Sequence, residues 1–315
     1  MHHASPEETR RHLITRVAWM YFIEGLKQED IAKALGLNRI KINRLLAAAR
    51  GEGVVSIEIR GVDAFRPDLT RRLRDRFGLQ EVHVVPRAAN PQAAVPAVGF
   101  ALGSYLNDRL ADGMTVGIAG SHSTNALMEG LRAQSFQSLD VVGLKGCLSN
   151  EGKGIPHETV ARLAYLLNAN AYQLAAPSYA RDEQEYRLFM ELPMIRSVLE
   201  RARNADMAIL TASRVVEHGG LVGYGFVNPA DMAELRRAGA VAAVLGTFVN
   251  AAGVAVDHPL NARQIGLTVE ELQRIPNVVL TCAGEGKAAA LRAALQMRFA
   301  KILFTDEETA EDISE

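Results

Sequence analysis

The sequence predicts an α/β protein. A small all-helical module of winged helix-turn-helix type leads into a larger domain built on a mostly parallel, Rossmann-like sheet. Three observations carry this. Residues 28–46 have the pattern of a short amphipathic helix, a glycine turn and a second helix with bases and amides facing outward. From about residue 81, apolar strand-like runs alternate with helical patterns, which gives a parallel sheet covered on both faces. The net charge of −1 hides a basic first sixty residues, with ten Lys/Arg against seven Asp/Glu.

In the N-terminal part, Leu13, Val17, Met20, Tyr21 and Ile23 recur at helical spacing and predict a first helix over 12–24. Gly25 ends it, because glycine accepts the left-handed conformation. Residues 28–35 form the second helix, burying Ile31, Ala32 and Leu35; Ala32 is small where two helices cross. Gly36 makes the turn, Asn38 caps the third helix, and Ile42, Leu45 and Leu46 pack it down. Arg39, Lys41, Asn43 and Arg44 are left outward. Arg reads guanine and Asn reads adenine through paired hydrogen bonds, so these types suit a helix in the major groove. Gln28 and Lys33 are placed for phosphates. Residues 31–51 hold five bases and no acid, as a duplex-binding face requires. Alternation over 54–59 predicts a β-wing, and 67–78 a helix within a linker. The expected organisation is a DNA-binding module over 1–60, a linker helix over 61–80, and a ligand-binding and oligomerisation domain over 81–315.

Composition narrows the class. A chain of 315 residues exceeds what one core usually organises. Two cysteines, Cys147 and Cys282, are too few for a disulfide framework. No apolar run reaches membrane-spanning length and no leader pattern opens the chain. A cytoplasmic protein without membrane partners is the expectation.

In the larger domain, strand-like runs fall at 82–85, 115–119, 141–144, 171–175, 207–210, 241–245, 278–281 and 302–304. Helical patterns fall at 126–131, 159–168, 194–205 and 287–298. Ligands of such sheets sit at the carboxyl ends of the strands, near a topological switch point. Four strand ends carry candidate chemistry. Gly120-Ser121-His122-Ser123-Thr124-Asn125 is a hydroxyl-rich turn into a helix, suited to phosphate or sugar oxygens, and N-capping also accounts for it. Lys145, followed by Gly146 and Cys147, is placed to pair with a phosphate, to form an imine with an aldehyde sugar, or simply to end a strand at the surface. Gly284-Glu285-Gly286-Lys287 brings another lysine to the same sheet edge. Asp306 or Thr305 caps the last helix. His122 and His157 lie in loops, and no spacing suggests a metal or other cofactor.

Taken in order, these segments resemble the SorC family of bacterial sugar-responsive transcription regulators over nearly the whole chain. The resemblance rests on 28–46, 116–131, 142–146, Ala175-Ala176-Pro177, Asn204-Ala205-Asp206, Gly239-Ala240-Val241, 248–253, 283–287 and Thr305-Asp306-Glu307. It implies an effector domain similar in fold to sugar-phosphate isomerases but used for sensing. It also implies a homodimer or homotetramer whose grip on an operator responds to a sugar phosphate or related carbohydrate. By position, Ser123 and Thr124 match the family's phosphate-loop hydroxyls, Lys287 its glycine-turn lysine, and Lys145 a lysine of the branch resembling deoxyribonucleoside regulators. Departures are present: Ser121-His122 crowd the phosphate loop, Ala242-Ala243 replace a frequent acid, and Asn250 stands where aspartate is common. Asn38 and Asn43 replace common serines. A different class, a sugar-phosphate isomerase or deaminase retaining a DNA module, requires a general base, for which Glu285, Asp306 and His122 are the candidates.

Overall fold

Residues 1–58 and 59–315 form separate units, and the computed structural model describes residues 6–55, 65–153 and 158–315. In the first unit, α1 (Pro6–Phe22), α2 (Gln28–Leu35) and α3 (Arg39–Gly51) enclose a core of Ile14, Val17, Ile31, Ala32, Ile42, Leu45, Leu46 and Ala49. Helix α1 starts earlier than its apolar spacing suggests, because Glu7 and Glu8 favour its first turn. It also stops sooner, and Tyr21 in its last turn and Ile23 just beyond it are exposed. Gly36 takes a left-handed conformation (φ 63°) and closes α2 through its amide. Asn38 caps α3, its Oδ1 accepting from the Lys41 amide at 2.8 Å. Val54 and Val55 pack against this core; the rest of the expected wing strand lies outside the described residues, as does His157.

The second unit opens with α4 (Pro67–Phe77), β1 (Glu81–Val85), α5 (Ala94–Leu106), β2 (Thr115–Ile118), α6 (His122–Asn125), β3 (Asp140–Gly143), α7 (Thr159–Leu167) and β4 (Asn170–Tyr172). It continues through α8 (Glu183–Glu191), α9 (Pro193–Arg203), β5 (Met207–Leu210), β6 (Ala212–Arg214), α10 (Gly220–Gly223), α11 (Pro229–Arg237), β7 (Ala242–Val244) and β8 (Thr247–Val249). Then come α12 (Pro259–Ala262), α13 (Val269–Leu272), β9 (Asn277–Thr281), α14 (Ala288–Gln296), β10 (Ile302–Asp306) and α15 (Glu307–Ser314).

Seven strands make one sheet in the order β1-β10-β9-β5-β2-β3-β4, every pair parallel. Their apolar runs are nearly continuous because both faces are covered: β5 is buried at all four residues. The run at 241–245, expected in this sheet, instead forms β7 of a small antiparallel sheet, β6-β7-β8. Leu245 and Gly246 turn it back too tightly for a crossover helix, both at positive φ (49° and 97°). Helix α4 is no free linker: Leu69, Leu73 and Phe77 sit in the main core.

Helix α5 lies against a short 3-10 turn over Ala126–Glu129, which replaces the longer helix expected at 126–131. The two approach at backbone contact. A Cβ on Gly103 would fall 2.0 Å from the Leu127 carbonyl, and one on Gly99 2.4 Å from the Ala126 Cβ. Gly103→Ala therefore overpacks this seam and should cost about 1–3 kcal/mol, read as a lower urea midpoint for the larger unit. An unchanged midpoint would show that the seam can separate freely.

Candidate functional site

The chain runs from β2 outward to β3 and β4, then returns to β5 on the other side of β2. Segments leaving β2 and β5 therefore diverge, and a crevice opens at their carboxyl ends. A cavity of about 250 Å³ lies there, small for a ligand pocket and suited to a compact metabolite. Gly120, Ser121, His122 and Ser123 line it after β2, Lys145 after β3, Thr211, Ser213 and Arg214 after β5, and Lys287 after β9. The segment 216–226 adds Leu221, Tyr224 and Phe226.

Of the residues expected from sequence, the structure gathers Gly120, Ser121, His122, Ser123, Lys145 and Lys287. Five others serve elsewhere. Thr124 is wholly buried; its hydroxyl donates to the Ala119 carbonyl at 2.8 Å and accepts from the Ser121 amide at 2.9 Å. With Ser121 accepting from the Thr124 amide, this closes a capping box that shapes the loop. Thr124 is thus a positioning residue, and α6 is too short to act as a dipole. The Asn125 Oδ1 accepts from Arg162 at 2.9 Å, outside the cleft. Gly146 has a packing role, since a Cβ there would lie 2.1 Å from the Pro177 carbonyl. The Asn250 Oδ1 accepts from the amides of Ala252 and Val254 and holds a turn. Glu285 is exposed and does not line the cavity.

Arg214, Ser213 and Thr211 were missed, although the signal was present. The strand expected at 207–210 ends directly before these hydroxyls and this guanidinium, so the rule that ligands sit at strand ends points to them too. The Gly219-Gly220 pair marked the lining segment in the same way.

The cations are held without carboxylates. The Lys145 ammonium stands 4.9 Å from the centre of the Phe226 ring and 3.5 Å from the Ser178 hydroxyl. That hydroxyl donates to the Gly146 carbonyl at 2.7 Å, which leaves its lone pairs toward the lysine. Loss of solvent pushes Lys145 down from 10.5 to about 8. The Lys287 ammonium donates to the Ala212 carbonyl at 3.2 Å. No Asp or Glu lines the cavity among the described residues. Asp306, the acid below the Gly284 turn, accepts from the Gly284 amide and from both the amide and hydroxyl of Thr309. It is a cap, as expected, and not a base.

Away from the cleft, ligand atoms of Asp231, Glu234 and His258 come within 4.8 Å of one another, a grouping that sequence spacing did not suggest. The His258 Nδ1 accepts from the Leu260 amide at 3.3 Å, so Nε2 carries the proton and faces Glu234 at 3.7 Å. A metal needs that nitrogen's lone pair; this histidine is a helix cap instead.

In the N-terminal unit, Arg39, Lys41, Asn43 and Arg44 are exposed along α3, with Lys33 exposed on α2. The Asn38 Oδ1 is occupied by capping. The Gln28 amide reaches Asn43 at 3.5 Å, tying the two helices together, and Arg39 stands 3.5 Å from Glu29. Ile40, absent from the expected set, is 67 % exposed among these polar groups. Two positions from buried Ile42, it cannot share the packed face, and its methyls suit a thymine methyl.

A parallel sheet with a cationic crevice at its switch point, joined to a helix-turn-helix whose α3 carries bases and no acid, defines a ligand-binding regulator of transcription. Residues 65–314 match the family model described as "Putative sugar-binding domain". Over 306 residues the chain is 30 % identical to the transcriptional regulator LsrR of Enterobacter sp. (strain 638), covering 96 % of this chain and 92 % of that one. Over 300 residues it is 28 % identical to the erythritol catabolism regulatory protein EryD of Brucella abortus (strain 2308), covering 95 % of each. The full-length sorbitol operon regulator SorC of Klebsiella pneumoniae superposes with a TM-score of 0.70 at 23 % identity, over 98 % of this chain and 99 % of that one, a likeness of fold. The chain belongs to the SorC family of sugar-responsive transcriptional regulators. Among the described residues no helix is long and apolar enough to cross a membrane.

The buried ammonium gives this cleft a pH signature. Between about pH 8 and 10.5 the unfolded chain keeps the Lys145 proton that the folded chain has lost, so stability rises with pH across that window. Below pH 8 both states are protonated and the full cost of the buried charge remains, at most about 3 kcal/mol. Lys145→Met should accordingly be the more stable protein at pH 7. Its advantage in urea titrations should shrink steadily from pH 8 to pH 10. A constant difference across that range would mean the ammonium is fully solvated.

Proposed function

We propose that this regulator binds operator DNA through α3 and senses a phosphorylated small carbohydrate in the cleft between β2 and β5. The observation that carries the reading is the meeting of Lys145, Arg214 and Lys287 with the serine loop in one cavity without a lining carboxylate. Such a site is matched to an anion, and the hydroxyls of Ser121, Ser123, Thr211 and Ser213 are matched to sugar oxygens. The protein acts by binding and not by turnover: of the three general-base candidates only His122 lines the cavity, with no carboxylate beside it, and its relatives are named as regulators.

On DNA, Arg39, Lys41, Asn43 and Arg44 contact base edges, Ile40 a thymine methyl, and Gln28 and Lys33 phosphates. The Asn38 side chain holds the helix end toward the backbone. The working form is a cytoplasmic homodimer or homotetramer, which sets two copies of α3 in successive major grooves, roughly 34 Å apart. The effector relieves repression by preferring the arrangement that does not fit the operator.

Operator fragments recovered from the source genome by the full chain provide the test, with anisotropy titrations with and without five- and six-carbon sugar phosphates. Arg39→Ala and Arg44→Ala should each lower specific affinity by about 1–3 kcal/mol while leaving thermal unfolding unchanged. Ile40→Ala should relax preference at a single base pair. Lys287→Met should bind operator normally yet respond weakly to the effector. Wild-type binding by both arginine variants would remove α3 from the interface, and an undiminished response in the lysine variant would remove the cleft.

A further inference from the structure

Helix α1 is apolar on two sides. Ile14, Val17 and Ala18 face the core shared with α2 and α3. Arg16 lies two residues from both Ile14 and Ala18, and two residues turn a helix by about 200°. Trp19 and Ile23 follow Arg16 at helical spacing, so they share its side, away from the core. The Ile23 amide still donates to the Trp19 carbonyl at 2.9 Å, which carries the helical turn one residue past Phe22. Trp19 is 58 % exposed and Ile23 66 %; Phe22, its ring edge-on to Tyr21, is exposed beside them.

Such a stripe, in a unit that spans only residues 1–58, marks an interaction surface. Its rim says what covers it. Arg16 stands at one end and Glu24 at the other, both exposed. Among the described residues neither side chain has a partner, whereas Arg10 on the same helix finds Glu52. Eight residues span roughly 12 Å of helix, so the two charges cannot meet within one chain. Turned end for end, a second copy of α1 sets its glutamate on this arginine and its arginine on this glutamate. That self-complementarity is what a two-fold interface requires. Duplex DNA, uniformly anionic, matches only the arginine end. The stripe also includes none of the α3 side chains assigned to DNA, so both copies keep that surface free.

We infer that α1 pairs antiparallel with α1 of a second copy, burying Trp19, Phe22 and Ile23 at the centre and joining Arg16 of each copy to Glu24 of the other. Trp19 is the anchor, since tryptophan and arginine are the types that carry most binding energy at interfaces. The charges form the polar rim and fix the antiparallel direction. The inference rests on the homo-oligomeric reading above and names the surface that joins two DNA-binding units.

Trp19 is the only tryptophan of the chain, so the fluorescence of the full-length protein without DNA reads its surroundings directly. Acrylamide should quench the native chain at least threefold less than the urea-unfolded chain, with emission shifted to the blue. Arg16→Glu and Glu24→Arg, changes at exposed residues, should each raise quenching at least twofold and return emission toward the red, with thermal unfolding unchanged. The double variant Arg16→Glu/Glu24→Arg exchanges the two charges and should restore the native values. Sedimentation equilibrium on the same samples gives the state of assembly. An oligomer whose indole is freely quenched overturns the inference and leaves the homo-oligomeric reading standing; a monomer overturns both. A shielded indole that the single variants leave shielded, or that the double variant fails to restore, also overturns it, by giving the stripe a different occupant.

Discussion

The parallel pairing of β2 with both β3 and β5 is the constraint on which the larger unit depends. A strand with parallel partners on both sides needs crossovers in both directions, and the chain must leave its carboxyl end between them. Gly117 shows how tightly this centre is packed, since a Cβ there would lie 2.4 Å from the Leu144 side chain. The cleft is thus a consequence of strand order rather than of the loops that decorate it. The loops decide only its chemistry, and each makes one contribution: hydroxyls after β2, a lysine after β3, a guanidinium after β5 and another lysine after β9.

Those contributions are poorly matched to stability, which supports the proposed binding role. An ammonium deprived of solvent opposes folding, and the carbonyl and ring that Lys287 and Lys145 meet compensate weakly compared with a carboxylate. Elsewhere in the same unit arginines find acids readily, as Arg66 does with Glu307 and Glu311, and Arg203 with Glu271. The chain can pair its cations and does not do so at the switch point. In the proposed reading an anionic ligand supplies the missing counter-charge, so binding and local stability rise together.

How much of this was legible in the sequence follows from the range of the interactions involved. The N-terminal helices, their glycine stop and the Asn38 cap are set by contacts within a few residues, and apolar spacing reveals them. Seven of the eight strand runs joined the expected sheet because burial on both faces leaves an unmistakable apolar stretch. The run at 241–245 has the same composition, and only its partner, Thr247–Val249 across a two-residue turn, makes it antiparallel. In the site, residue type located Lys145 and Lys287 but misassigned Thr124, whose hydroxyl is claimed by Ala119 and Ser121. Sequence spacing cannot say which way a hydroxyl points. Arg214 escaped because its strand carries no glycine-rich flag.

The α3 surface and the cleft impose different demands on the same chain. Bases on α3 are exposed, and in the proposed complex they exchange counterions for phosphates, so their contribution falls as salt rises. Lys145 in the cleft works in a less solvated setting where salt screens little. An effector can alter DNA affinity only by the ratio of its affinities for the two arrangements of the regulator. Shifting that balance from 1:99 to 99:1 needs about 5.5 kcal/mol of preference. A neutral sugar, held by a few hydroxyl hydrogen bonds at about 1 kcal/mol each, would have to make nearly all of them in one arrangement only. Charge-assisted bonds are roughly twice as strong, and cations drawn from three different strand ends are sensitive to small displacements of any one of them. The phosphorylated ligand proposed for Lys145, Arg214 and Lys287 is therefore suited to discriminate between two arrangements.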